Sequence, residues 1–97
     1  MTFNALFAEA ELDPHIPVLD LHGSSVVEAH YVVDLFLDKT FCSGERVVKI
    51  VHGKGSGTLR DEIIKFLKRH GQVAAQHQSL REGEQGAVIY VALKPRV

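Results

Sequence analysis

Apolar and polar positions alternate along this chain in two rhythms, one of period two and one of three to four. Pro17 precedes the run Val18-Leu19-Asp20-Leu21-His22-Gly23. Period-two spacing there predicts a strand with Asp20 and His22 on one face and Leu19 and Leu21 on the other. Ser25-x-x-Glu28 reads as a capping box opening a helix. Val26, Ala29, His30, Val33, Phe36, Leu37 and Phe41 then form one apolar stripe at helical spacing. Gly44 ends that helix region, and the β-branched run Val47–Val51 predicts a second strand. Thr58 is read as the N-cap of a second helix, with Leu59, Ile63, Phe66, Leu67 and His70 on its buried side and Gly71 as its stop at C′. Val73–His77 and Ala87–Leu93 complete the series as third and fourth strands, joined through a turn at Gly83–Gly86.

The order is β-α-β-α-β-β. The expected fold class is α/β, an α+β two-layer sandwich with a mixed four-stranded sheet and two helices. Each β-α-β crossover is expected to be right-handed with parallel strands. The short final connection predicts an antiparallel hairpin. Residues 17–97 form the expected domain, and residues 1–16 an N-terminal arm. Phe3, Leu6, Phe7 and Ala10 have helical spacing in that arm, and Asp13-Pro14 breaks any helix there. The arm is expected either to pack on the domain or to serve, through residues 1–12, in self-association or protein binding.

Composition narrows the class. A chain of 97 residues allows one compact domain. Its single cysteine, Cys42, excludes an internal disulfide and reads as a buried small hydrophobe. No apolar run approaches the roughly 20 residues needed to span a bilayer. The first residues lack a basic and apolar leader, so a cytoplasmic protein without membrane contact is expected. The net charge of −1 is low for a nucleic-acid binder. Its distribution is uneven, however. Residues 1–43 carry Lys39 against seven acids, a balance of −6, whereas residues 44–72 reach +4 and residues 73–97 reach +1. The middle segment is therefore a candidate phosphate-binding face, or simply a solvated one.

The candidate chemistry lies at strand ends. Ligands of open α/β sheets gather at the carboxyl ends of parallel strands. Asp20-Leu21-His22-Gly23 ends the first strand, and His52-Gly53-Lys54-Gly55 ends the second. Gly53, Gly55 and Gly57 let the backbone approach a ligand closely, and the loop through Ser56 leads into a helix N-terminus that favours anions. Lys54 and Arg60 add positive charge. The spacing is not that of a P-loop, and the alternative to a phosphate cradle is a turn that needs glycine only for geometry. Asp20 and His22 form a candidate acid–base pair, with His52 to protonate a leaving oxygen or donate a hydrogen bond to phosphate. Equally, Asp20 is a candidate helix cap and His22 a satisfied polar residue. No cofactor is expected. Asp20, His22 and His52 are the one set to weigh as ligands of a divalent metal. His15, His30, His70 and His77 show no ligand spacing, and His30 and His70 read as packed at the core edge.

Leu19-Asp20-Leu21-His22-Gly23, Glu28-Ala29 and Val51-His52-Gly53-Lys54-Gly55-x-Gly57-x-Leu59-Arg60 together resemble the two signature blocks of the Smr (small MutS-related) domain. Gly83-x-x-Gly86-Ala87-Val88 is similar to that family's glycine turn, although Glu82 stands where a paired glycine is usual. The resemblance covers about residues 17–94. It implies a sheet domain akin to the C-terminal domain of bacterial translation initiation factor three, nucleic-acid binding, and, in several members, endonuclease activity on DNA or RNA. Asp20, His22, His52, Gly53 and Gly55 carry over by motif.

Three functions compete on this reading: a DNA-nicking or RNA-cleaving endonuclease, a nucleic-acid-binding module without chemistry, and a protein adaptor. Aromatic residues are only 7% of the chain and offer no evident stacking platform, so recognition of the DNA or RNA backbone by shape is expected.

Overall fold

A computed structural model describes residues 2–96; Met1 and Val97, the outermost residues of the expected arm and domain, lie outside the described residues. The elements are α1 (Phe3–Leu12), β1 (Val18–Asp20), α2 (Val26–Cys42), β2 (Val47–Val51), α3 (Thr58–Arg69), β3 (Val73–Gln78) and β4 (Val88–Leu93). They build one mixed sheet in the order β1-β2-β4-β3. β1 pairs with β2 in parallel, and β4 runs antiparallel to both β2 and β3. The expected hairpin is therefore present, and β3 runs in the direction of β2. The two are not neighbours, because β4 folds back between them.

Local chemistry explains the helix limits. Both bonds of the Ser25/Glu28 capping box form at the start of α2. Its end is marked by Gly44 at φ +79, a conformation glycine adopts without steric cost. At α3 the expectation of Thr58 as N-cap is corrected. Gly57 is the cap, at φ +93, and Thr58 is the first helical residue. Nor does Gly71 stop α3 through a left-handed turn; His70 leaves the helix in an extended conformation, and its Nδ1 accepts the N–H of Gln72.

The main core lies between the sheet and α2 and α3. Leu21, Val33, Leu37, Ile50, Ile63 and Ile89 are among its fully buried members. Cys42 is exposed, contrary to expectation, because α2 has turned its stripe through Leu37 and Thr40 by that point.

The opposite sheet face carries a third helix beyond the two expected. Phe7 and Ala10 of α1 pack on Val47, Val88, Tyr90 and Ala92. Phe7 stacks on His77 at 5.3 Å, His77 pairs with Glu11 at 3.3 Å, and the Arg81 guanidinium donates to the Glu11 carbonyl. Every β4 side chain is buried as a result, on one face by α2 and α3 and on the other by α1. Phe7→Ala is expected to lower the free energy of unfolding by about 3 kcal/mol, at the low end for buried aromatics because only one helix covers this face. Urea denaturation followed by far-UV circular dichroism measures it.

Candidate functional site

Register brings the two sequence motifs to the same level. Asp20 pairs with Val51, and the Leu21 N–H donates to the Val51 carbonyl at 2.6 Å. Burial of Leu21 then turns His22 outward, since its neighbours along the chain face the other way. β4 starts beside this edge. The Ala87 carbonyl accepts from both His52 N–H and Gly53 N–H, at 2.9 and 3.1 Å, which holds the second motif against the sheet.

The closest approach between the motifs is at Gly53. This residue sits at φ +81, and a Cβ placed there would lie 2.8 Å from the Cβ of His22. The Gly53 backbone therefore packs directly on the His22 side chain. His22 Nδ1 lies 2.8 Å from Asp20 Oδ1, and the same oxygen accepts the His22 backbone N–H at 3.1 Å. These bonds hold the Asp20 carboxyl below its usual pKa. A carboxylate can only accept, so Nδ1 carries the proton and Nε2 is directed away from Asp20. Both side chains are more than half exposed.

His52 is placed differently. The residue is buried, and its Nδ1 donates to the Gly53 carbonyl at 2.9 Å. Burial pushes its pKa down, and the nearby Arg60 charge acts in the same direction against the Gly53 hydrogen bond. His52 is thus a neutral imidazole near pH 7, with its single ring proton committed to Gly53.

Beyond His52 opens a cleft of about 350 Å³. The whole loop from His52 to Gly57 lines it, as does Arg60, so these predicted residues converge. Asp20 and His22 are not in its lining; they stand at its lip through the Gly53 contact. The far wall is the start of α2, Gly23 to Val26, with Gly86 beneath. Sequence reasoning named Gly23, Ser25, Val26 and Gly86 for turns, capping and packing, and did not count them as site residues.

Two helix N-termini face the cleft, and they differ. That of α2 is closed by its own capping box. At α3 the glycine cap has no side-chain oxygen, and Leu59 and Arg60 N–H have no hydrogen-bond partner among the described residues. The Arg60 guanidinium folds over Gly57 with its Nε on Asp61 Oδ1 at 3.2 Å, and Lys54 forms no ion pair among the described residues. Free N–H groups, the helix dipole and two cations make this end attractive to an anion. Ser56 stiffens the loop, its Oγ donating to Thr58 Oγ1 at 3.1 Å. No group of three or more His, Cys, Asp or Glu side chains gathers as metal ligands among the described residues, so Asp20, His22 and His52 do not form a three-ligand set.

Known proteins resemble this chain in sequence and in fold. The Smr domain family model matches residues 19–94. An endonuclease MutS2 of Caldicellulosiruptor saccharolyticus is 44% identical over 72 residues, which are 73% of this chain and 9% of that protein. An endonuclease MutS2 of Clostridium kluyveri is 41% identical over 68 residues, 70% of this chain and 8% of that protein. This chain thus spans about a tenth of the length of these relatives. Among solved structures, the Smr domain of Thermus thermophilus MutS2 superposes with a TM-score of 0.79 at 32% identity, covering 82% of this chain and all of that one. YdaL, a stand-alone small MutS-related protein from Escherichia coli, gives 0.75 at 28% identity, covering 84% of this chain and 66% of its own. Matched across both motifs and the sheet between them, this chain belongs to the Smr domain family.

Proposed function

We propose that this domain binds a nucleic-acid backbone phosphate in the His52–Arg60 cleft and hydrolyses the phosphodiester bond with His22 as the proton-transferring group. The observation that carries the reading is the packing of Gly53 on His22, which sets an oriented Asp20–His22 pair at the lip of an anion-attracting cleft. The open N-terminus of α3, with Lys54 and Arg60, holds the phosphate and offsets the charge that develops on it. Asp20 fixes the imidazole through Nδ1, leaving Nε2 to take a proton from the attacking water or ribose 2′-hydroxyl. His52, neutral and bonded to Gly53, shapes the loop and presents a lone pair rather than a proton to the cleft. The endonuclease names of the MutS2 relatives support the same reaction class.

The test is a time course on labelled single-stranded RNA, supercoiled plasmid and branched DNA, with and without EDTA. His22→Ala is expected to slow cleavage about a hundredfold, with binding retained. Equal cleavage by wild type and variant rejects His22 as the reacting group. The EDTA arm decides whether a divalent metal takes part.

A binding module without chemistry is the second reading, favoured by the exposure of Asp20 and His22 outside the cleft lining. Under that reading no substrate is cut, yet affinity still falls steeply with salt as counterions are released. Lys54→Ala with Arg60→Ala is expected to weaken binding to every sequence alike and to reduce the salt slope by about 2, one for each lost phosphate contact. An unchanged slope removes the cleft as the phosphate site.

A further inference from the structure

Outside the cleft, a groove of about 650 Å³ lies between α2 and α3. Both helices follow parallel strands, so they run side by side, and both begin at the cleft. The groove therefore lies farther along the same two helices whose starts line the proposed phosphate site. On the α2 side it carries Val27, His30 and Tyr31, and on the α3 side Phe66, Arg69 and His70. Tyr31 is five positions beyond Val26 of the cleft wall, roughly 7.5 Å along a helix.

This cluster is aromatic in a chain with few aromatics. His30 stacks on Phe66 at 4.8 Å with an interplanar angle of 16°, and His70 meets the other side of the arrangement at 5.6 Å. Tyr31 is 67% exposed, and with Val27 and Leu35 it forms an apolar line at i, i+4 and i+8 on the solvent side of α2. Such a line has no use in packing α2 on its own sheet. His30 Nε2 is sequestered in the groove wall with no hydrogen-bond partner, which leaves one polar group unsatisfied.

Charge selects among occupants. Asp34, the acid of the groove, is tied to His70 Nε2 at 2.8 Å. Arg69 forms no ion pair among the described residues, and Lys68 lies beside it on the exposed side of α3. An anionic chain with flat apolar faces matches an exposed tyrosine ring in a groove that also holds the unpaired Arg69. We infer that the α2–α3 groove is a stacking subsite for unpaired bases of a nucleic-acid strand whose phosphate lies in the cleft. The inference rests on the proposed phosphate site and adds a substrate class: single-stranded or locally unpaired nucleic acid. Paired bases keep their faces inside the duplex and have none to lay on the exposed Tyr31 ring.

The test compares binding of two fluorescent oligonucleotides of equal length, oligo-dT and its abasic counterpart, by anisotropy at several salt concentrations. Wild type is expected to bind oligo-dT about tenfold more tightly than the abasic strand, and Tyr31→Ala to remove that difference. Tyr31→Phe keeps the ring and is expected to bind as wild type. Phe66→Leu, which preserves apolar volume at the core edge, is expected to reduce the preference in part. Equal affinity of wild type for the two strands, or an unaltered preference in Tyr31→Ala, overturns the stacking subsite. Salt-dependent binding of both strands in that case leaves the phosphate cleft standing, whereas no salt-dependent binding of either overturns both. A change in sedimentation of Tyr31→Ala with unaltered nucleic-acid affinity assigns the face to a second copy of the chain and also overturns the subsite.

Discussion

Replacing Gly53 with alanine is expected to cost about 3 kcal/mol of folding stability, and with it the relation between the two motifs. Two separate penalties add at this one position. A left-handed backbone is strained for any residue with a Cβ, by roughly 1–2 kcal/mol. In addition, the new methyl would stand 2.8 Å from His22 Cβ and 3.5 Å from His22 Cα. Those atoms are at the root of the side chain, so they move only with the backbone, which is tied to β2 through the Leu21 N–H. Either His22 and Asp20 move off the lip, or the Gly53 N–H pulls away from Ala87. Gly57→Ala is the internal comparison. It has a similar φ, but its Cβ would meet the end of the long Arg60 side chain, held among the described residues only by a surface bond to Asp61 at 3.2 Å, rather than backbone-proximal atoms. About 1 kcal/mol is expected there. Thermal and urea unfolding of both variants measure the difference, and equal losses would mean that Gly53 serves only its backbone conformation.

The contrast between these glycines shows what local pattern can and cannot reveal. β2 was legible to the residue, because Val47–Val51 is a β-branched run bounded by Gly44 and His52-Gly53. The capping box of α2 was legible for the same reason: all its determinants lie within four residues. The sharing of one edge by both motifs also followed, since it needs only that consecutive parallel strands be neighbours. What escaped depends on contacts distant in sequence. Nothing local says that β4 inserts between β2 and β3, since an antiparallel hairpin can join a sheet by either strand. Thr58 reads as the cap, but its hydroxyl accepts from Ser56 and Gly57 takes the cap position. Tyr31 and Phe66, 35 residues apart in the chain, become one groove only when α2 and α3 lie side by side. The few aromatics were counted correctly and their gathering was missed.

Glu84 is the largest case of this kind, and its replacement by alanine is expected to cost about 3 kcal/mol as well, somewhat below the figure for a fully buried pair. It sits in the β3–β4 turn, where sequence marks only a glycine-bounded loop. In the fold its carboxylate takes the Lys49 ammonium at 2.7 Å, the Ser79 hydroxyl at 2.8 Å and the Tyr90 hydroxyl at 3.0 Å. Its side chain is 16% exposed and that of Lys49 23%, so removal leaves a largely covered cation and two donors without an acceptor. Burial pushes the Glu84 pKa up, but the bonds from Lys49, Ser79 and Tyr90 outweigh it and hold the carboxyl below its ordinary value of 4.5. Burial raises the Tyr90 pKa above 10.0, and its bond to Glu84 raises it further. The sign of each shift fixes the pH dependence. A depressed carboxyl stabilises the fold above the unfolded value of 4.5, and this contribution is lost as pH falls through the lower folded pKa. The gap between wild type and Glu84→Ala in unfolding free energy is therefore expected to be widest near neutrality and to close in acid. Above pH 10 the raised tyrosine pKa makes deprotonation of the folded state costly, and wild type loses stability again. Urea titrations of both proteins from acid to alkaline pH measure this gap. A gap that stays constant below pH 4.5 would show that the loss on substitution comes from packing of the turn rather than from the charge. The consequence for function runs through the same turn. Glu84 N–H donates to Arg81, and the Glu84 carbonyl accepts from Ala87, the residue whose own carbonyl holds His52 and Gly53. Loosening Glu84 is thus expected to slacken the cleft loop along with the fold.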